Sequence, residues 1–204
     1  MDHHAIGLAL TGASGSAYGL RLLEALLGAG ETVFLMISEA ARVVMELETG
    51  IRLPARARDI QAMLTDRHAS RPEQLTVFGA QEWTAPVASG SNAPRALVIC
   101  PCSGAALSAI ATGASRDLME RAADVMLKEQ RRLILVPRET PLSVIHLKNM
   151  LSLARLGAII LPASPGFYHR PETVDDMVDF VVARILDHLD IEHELLARWG
   201  GTDY

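Results

Sequence analysis

The sequence predicts an α/β fold in which helices cover both faces of one parallel sheet, a doubly wound, three-layer architecture. Short, continuous apolar runs alternate with longer segments of helical period, and this alternation occurs five times. Right-handed crossovers between parallel strands then place the helices on both faces of the sheet. With 204 residues, 50% of them hydrophobic, the chain can close one substantial core, which excludes a disordered protein.

Each predicted element corresponds to one run or pattern in the chain. The buried strands are expected at residues 6–11, 32–37, 97–100, 133–137 and 159–162. The helices are expected at residues 17–27, 39–47, 103–111, 117–129, 143–156 and 174–189. Residues 52–96 are interpreted as an excursion with one short helix at 59–64. Residues 1–190 then form a single domain, and residues 191–204 form a tail that docks on a neighbouring subunit.

Composition and charge exclude several classes of protein. The formal net charge of -5 argues against a general nucleic-acid binder, which needs positive charge to displace counterions. No apolar run reaches the roughly 18 residues of a membrane span, and the N-terminus does not resemble a signal peptide. Cys100 and Cys102 are too close for a disulfide and match no zinc pair, so both are expected to be buried in a cytoplasmic protein.

Small and hydroxyl residues follow the first three of these strands, at the edge where ligands bind in open parallel sheets. The turn at residues 12–16 reads Gly-Ala-Ser-Gly-Ser and leads into a helix. It can cradle an anion on backbone amides, or it can be a plain turn with serine caps; it matches no standard nucleotide loop. Ser38 is interpreted as a helix cap, and Ser103 and Gly104 open the helix after the third strand.

Charged residues mark further candidate positions. Glu48 ends a helix, where the helix dipole disfavours a carboxylate, and this misfit hints at function. Arg121 and Lys128 lie seven apart on one helix, so they either face an anionic ligand or leave Lys128 paired with Asp124 on the surface. A charged pair also follows the fourth strand at 138–139, between two prolines, and presents a phosphate-binding fork beside an acid or base.

The last strand leads into a proline-rich loop at residues 162–171 that ends in a hydroxyl, an imidazole and a guanidinium. His146 and His169 are interpreted as packing or rim histidines, since no metal-ligand spacing links them. The sequence therefore predicts no metal site.

Taken together, these blocks resemble the UbiX family of flavin prenyltransferases over essentially the whole chain. The matched blocks are TGASGSAYG at 11–19, SEAA at 38–41, LET at 47–49, ASGS at 88–91, CPCS at 100–103, RAADVxLKE at 121–129, VPRETP at 136–141, GFYHRP at 166–171 and ARW at 197–199. The resemblance implies a flavodoxin-like (Rossmann-like) fold and a homo-oligomer, usually a dodecamer, that binds FMN. It also implies metal-independent transfer of the dimethylallyl group of dimethylallyl phosphate to N5 and C6 of reduced FMN. The prenylated FMN would serve a UbiD-type decarboxylase, for example in ubiquinone biosynthesis.

The resemblance also implies roles for individual residues. FMN contacts are implied for Gly12, Ala13, Ser14, Ser38, Ser103, Gly104, Ala105, Ala106 and Arg138. Contacts with the prenyl phosphate are implied for Trp83, Ser89, Arg121, Lys128, Arg138, Tyr168, Arg184 and Trp199, the last from the tail of a neighbouring subunit. Catalytic roles, mainly in proton transfer, are implied for Ser14, Glu48, Glu139 and Lys128. Ala106 departs from the family, which often has a threonine there, so one flavin hydrogen bond is expected to be lost.

Two alternatives remain on the sequence alone. One is an FMN-dependent decarboxylase of cysteinyl peptides or phosphopantothenoylcysteine, whose P-x-M-N-x-x-M-W block is not found around Asn149 and Met150. The other is an FMN carrier without enzymatic activity, which would not need a set of cations and carboxylates at the ligand edge.

Overall fold

The computed structural model of the chain describes residues 4–197 as alternating strands and helices. The strands are β1 (Ile6–Leu10), β2 (Val33–Ile37), β3 (Leu75–Phe78), β4 (Ala96–Cys102), β5 (Arg132–Pro137) and β6 (Ile159–Ile160). The helices are α1 (Ser16–Gly28), α2 (Glu39–Thr49), α3 (Ala57–Arg67), α4 (Gly104–Ala111), α5 (Leu118–Lys128), α6 (Val144–Arg155) and α7 (Val174–His188).

All six strands run parallel in the order β3-β2-β1-β4-β5-β6. Every residue of the central strands β1 and β4 is buried, as expected for strands covered by helices on both faces. The predicted doubly wound, flavodoxin-like fold is therefore confirmed. The strand order reverses between β1 and β4, which opens a crevice beyond their carboxyl ends.

Strand β3 was not predicted, and the interpretation of residues 52–96 as an excursion without a strand is wrong. β3 extends the sheet beyond β2, with Leu75 and Val77 buried and the residues between and after them only partly buried. An alternation of buried and partly buried residues over only four positions, directly after a turn that begins with proline, is too short to be distinguished from a loop in the sequence. The helix predicted at 59–64 is present but longer, as α3.

Two aliphatic cores lie on opposite faces of the sheet. One packs α1 and α7 against β1 through residues such as Leu8 and Leu22, and the other packs α4 and α5 through residues such as Leu107 and Met126. The cysteines are buried, as predicted, and burial raises the pKa of Cys102 to about 12. A thiol held neutral in this way is not a nucleophile at ordinary pH.

After the end of α7, the chain packs against the core of its own subunit. Ile191 is buried and Leu195 packs beside it, so the first residues of the predicted tail associate with their own subunit. Docking of the following residues on a neighbour stays a prediction. Within residues 4–197, no helix is both long and apolar enough to cross a membrane.

Candidate functional site

Three strand ends are tied together at the crevice between β1 and β4. The Thr11 hydroxyl donates to the carbonyl of Pro101 at 2.6 Å and accepts from the Ser103 amide at 2.8 Å. The Ser38 amide donates to the carbonyl of Leu10 at 3.0 Å. These bonds fix the turns after β1, β2 and β4 relative to one another, which a preorganised binding site requires.

The helices that follow these turns present their N-termini to the same edge. The Ser38 hydroxyl caps α2 by accepting from the Ala41 amide at 3.1 Å, as predicted, and the Ser103 hydroxyl caps α4 by accepting from the Ala106 amide at 3.2 Å. Each hydroxyl keeps its own proton available for donation to a ligand. Helix N-termini carry partial positive charge, so this edge favours an anionic group such as a phosphate.

The turn after β1 leaves unpaired backbone donors at this edge. Within residues 4–197, the amides of Gly12 and Ala13 form no hydrogen bond. A Cβ on Gly12 would lie 2.5 Å from the Cβ of Ala40, so only glycine allows the turn to approach α2 this closely. Free amides beside capped helix N-termini match the donors that the phosphate and ring edge of FMN require.

Glu48 belongs to the last turn of α2 but interacts with the first turn of α1. Its carboxylate accepts from the Gly15 amide at 3.0 Å and from the Ser16 amide at 2.8 Å, and so caps a helix that Gly15 cannot cap. Burial alone would raise the pKa of Glu48, but hydrogen bonds from Ser14, Ser16 and Gly15 outweigh it and hold the pKa below its usual value. The predicted misfit with the dipole of α2 is thus offset by the favourable end of α1.

Arg138 and Glu139 follow β5 and flank the same crevice. The Arg138 Nε donates to the carbonyl of Ser14 at 3.1 Å, which brings the guanidinium over the turn after β1. Glu139 Oε1 accepts from the Thr140 amide at 3.2 Å, whereas Oε2 lies 3.7 Å from the position that a Cβ on Gly104 would occupy. A cation and an available carboxylate oxygen therefore border the cradle of amides and hydroxyls.

The cations of α5 are paired within the chain, and one sequence expectation about them is wrong. Asp124 pairs with Arg121, at 2.9 Å, and not with Lys128; Lys128 Nζ instead contacts Glu129 Oε1 at 2.6 Å. Arg121 Nε also donates to the carbonyl of Ala88 at 3.1 Å. The spacing of three residues brings Arg121 and Asp124 to one face of the helix as readily as a spacing of four would.

Ser89 lies on the segment that contacts both ends of this helix. Its hydroxyl is 3.0 Å from that of Ser91, and the neighbouring Gly90 packs directly against the carboxylate of Glu129. We call Ser89, Arg121 and Lys128 the α5 group.

Lys128 and Arg184 do not meet the crevice within one chain. Lys128 lies just before β5 and Glu139 just after it, and a six-residue strand separates its ends by roughly 20 Å. Arg184 pairs with Asp187 at 2.6 Å and lies ten residues along α7 from Val174, about 15 Å from the end of the helix near the crevice.

The aromatic candidates are partly exposed. Trp83 lies in the loop after β3 with 45% of its surface exposed. Tyr168 lies in the loop after β6 and packs edge-on against Phe180, with ring centroids 5.7 Å apart; His169 stacks on the same ring. Trp199 lies outside the described residues. Within residues 4–197, no group of His, Cys, Asp and Glu side chains could hold a metal ion.

Comparison with known proteins gives consistent results along the whole chain. The sequence model of the Flavoprotein family matches residues 1–186. The flavin prenyltransferase UbiX of Pseudomonas aeruginosa is 58% identical over 195 residues, covering 96% of this chain and 93% of that protein. The flavin prenyltransferase UbiX of Methanothermobacter thermautotrophicus is 48% identical, covering 96% of this chain and 95% of that protein.

Solved structures agree in fold. A crystal structure of AnUbiX (PadA1) in complex with FMN and dimethylallyl pyrophosphate has a TM-score of 0.86 at 38% identity, covering 98% of this chain and 99% of that chain. A dodecameric FMN-dependent UbiX-like decarboxylase from Escherichia coli O157:H7 has a TM-score of 0.85 at 41% identity, covering 97% of this chain and 100% of that chain.

Cysteine decarboxylases share the fold alone. A peptidyl-cysteine decarboxylase has a TM-score of 0.54 at 13% identity, covering 80% of this chain and 82% of that chain. The extent of the prenyltransferase matches confirms the resemblance that the sequence blocks indicate: the chain belongs to the UbiX family of flavin prenyltransferases.

Proposed function

We propose that this protein transfers the dimethylallyl group of dimethylallyl phosphate to N5 and C6 of reduced FMN. The observation that supports this most is the crevice between β1 and β4, where unpaired amides and capped helix N-termini lie beside Arg138 and the Glu139 carboxylate. A structure with a TM-score of 0.86 contains FMN and dimethylallyl pyrophosphate, which supports FMN and a phosphate ester of the dimethylallyl group as the two substrates.

The residues at the crevice bind the flavin. When bound, reduced FMN supplies two nucleophilic ring atoms, N5 and C6. The amides of Gly12 and Ala13 and the hydroxyls of Ser38 and Ser103 donate to its oxygen atoms, together with the start of α4. Arg138, anchored on the Ser14 carbonyl, keeps its remaining N–H groups for flavin or prenyl phosphate.

The cations neutralise the phosphate leaving group. The allylic C–O bond breaks and its electron pair leaves on phosphate, which Lys128, Arg121 and Arg184 stabilise together with the hydroxyls of Ser89 and Tyr168. An allyl group that develops positive charge is stabilised by a π face within about 6 Å, a role assigned to Trp83 and, from a neighbouring subunit, Trp199.

Proton transfers complete the reaction. Bonds from carbon to N5 and C6 form as both positions lose a proton, and the prenyl double bond gains one. Glu48, held ionised at the start of α1, and Ser14 lie on one side of the crevice, and Glu139 lies on the other. We assign the proton of C6 to Glu139 and the proton of N5 to the pair of Ser14 and Glu48.

The separation of Lys128 from Glu139 makes one chain insufficient for this reaction. A small prenyl phosphate cannot span roughly 20 Å, so Lys128 of one subunit must serve the crevice of another. We assign Arg121 and Ser89 of the α5 group to the same neighbouring site. A homo-oligomer provides this arrangement, and a relative from Escherichia coli is dodecameric. We propose the same kind of assembly here, with the chain beyond residue 197 completing a neighbour's site.

The product is expected to leave as a cofactor for another enzyme. Prenylated FMN differs from FMN only at the ring edge, so the recipient must be a protein that binds FMN-like groups. We propose a UbiD-type decarboxylase as that recipient, with ubiquinone biosynthesis or aromatic acid decarboxylation as the setting.

Phosphate release under anaerobic conditions tests the proposed function. With reduced FMN and dimethylallyl phosphate, we expect release of phosphate that stops when either substrate is omitted. Oxidised FMN is the control and should give none, because its N5 is no longer a nucleophile. Release at equal rates with oxidised FMN, or with no flavin, would mean that the protein is a phosphatase.

A further inference from the structure

His146 closes an unusual capping box at the start of α6. Ser143 accepts from the His146 amide through its hydroxyl at 3.2 Å, and the Ser143 amide donates to His146 Nδ1 at 3.3 Å. Glutamate or glutamine normally fills the second role. A histidine there satisfies the cap with one ring nitrogen and leaves the other free for another purpose.

The cap determines which ring nitrogen carries the proton. Because Nδ1 accepts a hydrogen bond, it is the unprotonated ring nitrogen, and Nε2 is the N–H donor. Within residues 4–197, His146 Nε2 forms no hydrogen bond. The ring therefore presents an unused donor of defined position.

That donor lies near the predicted catalytic carboxylate. His146 lies on the face of α6 that includes Met150 and the fully buried Leu153, which pack toward α4. A Cβ on Gly104 would lie 2.9 Å from His146 Nε2 and 3.7 Å from Glu139 Oε2, so both atoms border the same point. Gly104 has ordinary helical backbone geometry, and its small size is what admits the imidazole.

We infer that His146 is a positioning residue that donates from Nε2 to Glu139 Oε2 when substrates are bound. Glu139 Oε1 is already held by the Thr140 amide, so a second bond at Oε2 would fix the carboxylate in one orientation. A carboxylate held at both oxygens is aimed at one proton of the substrate instead of sampling several positions. This inference rests on the proposed function of Glu139 as the proton acceptor.

A glutamine substitution separates the positioning role from the capping role. In His146→Gln, the side-chain oxygen can still accept from the Ser143 amide. The N–H groups of its amide are carried on a flexible chain, so no rigid ring fixes a donor beside Glu139. We expect kcat to fall about ten- to a hundredfold with the KM values of both substrates unchanged, because a misplaced catalytic group slows chemistry without weakening binding. Ser143→Ala is the matched control: it weakens the cap, lowers the melting temperature and leaves kcat close to that of the wild type.

A double-mutant cycle tests whether His146 acts through Glu139. In a Glu139→Gln background, His146→Gln should lower kcat by less than about twofold, because the interaction is already lost. If the two single-variant losses in kcat multiply in the double variant, the inference is overturned. A wild-type kcat in His146→Gln, or a change in that variant confined to KM, would also overturn it. If Ser143→Ala lowers kcat as much as His146→Gln, the role of His146 is capping alone.

The tautomer can be measured without any flavin. In protein labelled with ¹⁵N-histidine, the resonances lost in His146→Gln identify His146, and we expect an unprotonated Nδ1 and a protonated Nε2. A predominant Nδ1–H form would overturn the inference. This measurement does not depend on enzymatic activity. If the wild type made no prenylated flavin, that result would refute the proposed function and leave the tautomer of His146 unaffected.

Discussion

Replacing Glu139 by glutamine is expected to lower kcat about 10²- to 10⁴-fold, the usual range for loss of a general base. The amide cannot accept the proton of C6, while its shape and its contact with the Thr140 amide are retained. FMN affinity should stay close to that of the wild type, because the cradle at Gly12, Ser38 and Ser103 is untouched. Steady-state kinetics and flavin titration by fluorescence measure the two quantities separately.

The control for this substitution is Glu172→Gln. Glu172 is an exposed carboxylate in the loop before α7, and among residues 4–197 it is engaged only through its backbone amide, which donates to Asp176 at 2.8 Å. The Glu172→Gln substitution removes the same charge as Glu139→Gln and should leave kcat unchanged. A Glu139→Gln variant with the kcat of the wild type would remove Glu139 from the proposed chemistry.

Replacing Lys128 by alanine is expected to raise the KM for dimethylallyl phosphate roughly ten- to a hundredfold, since a hydrogen bond between charged groups contributes about 1.5–3 kcal/mol. FMN binding should not change, because the cradle at Gly12, Ser38 and Ser103 is untouched and Lys128 is assigned to the phosphate of the prenyl donor. Lys148→Ala is the matched control, since the chain has only these two lysines and Lys148 is exposed on α6.

The same variant tests the assembly of the site from more than one chain. Lys128→Ala and Glu139→Gln subunits, co-expressed in equal amounts, should form hybrid oligomers in which about one quarter of the sites combine an intact Lys128 with an intact Glu139. We expect activity well above the sum of the two separate variants. Activity no higher than that sum would contradict a site that takes Lys128 and Glu139 from two different chains.

The sequence alone was sufficient for most of the fold because its strands are buried on both faces and read as continuous apolar runs. Prediction from the sequence failed at β3, which has only four residues, two of them partly buried, and follows a stretch rich in arginine and proline. Interactions between distant parts of the chain were also out of reach. Glu48 and Gly15 are 33 positions apart, and only the packed structure shows that this carboxylate caps α1.

The candidate site was predictable where it follows strands, since every such residue must reach the carboxyl edge of the sheet. Gly12, Ser38, Ser103 and Glu139 all lie there. The position of Lys128 could also have been predicted. The end of a helix that precedes a parallel strand lies at the edge of the sheet opposite to the carboxyl ends of the strands, and Lys128 ends such a helix. His146 was interpreted as a packing or rim residue because no metal-ligand spacing links it to His169. Its part in a capping box gave no signal in the sequence, since glutamate or glutamine normally fills that position.

The flavin released after anaerobic turnover by the wild-type protein tests the central claim most directly. Mass spectrometry and proton NMR of this product, made from reduced FMN and dimethylallyl phosphate, report both new bonds. We predict a flavin heavier by one isoprenyl unit, five carbons and eight hydrogens, whose proton at C6 is absent. FMN of unchanged mass, or a heavier flavin that retains its C6 proton, would contradict prenyl transfer to N5 and C6.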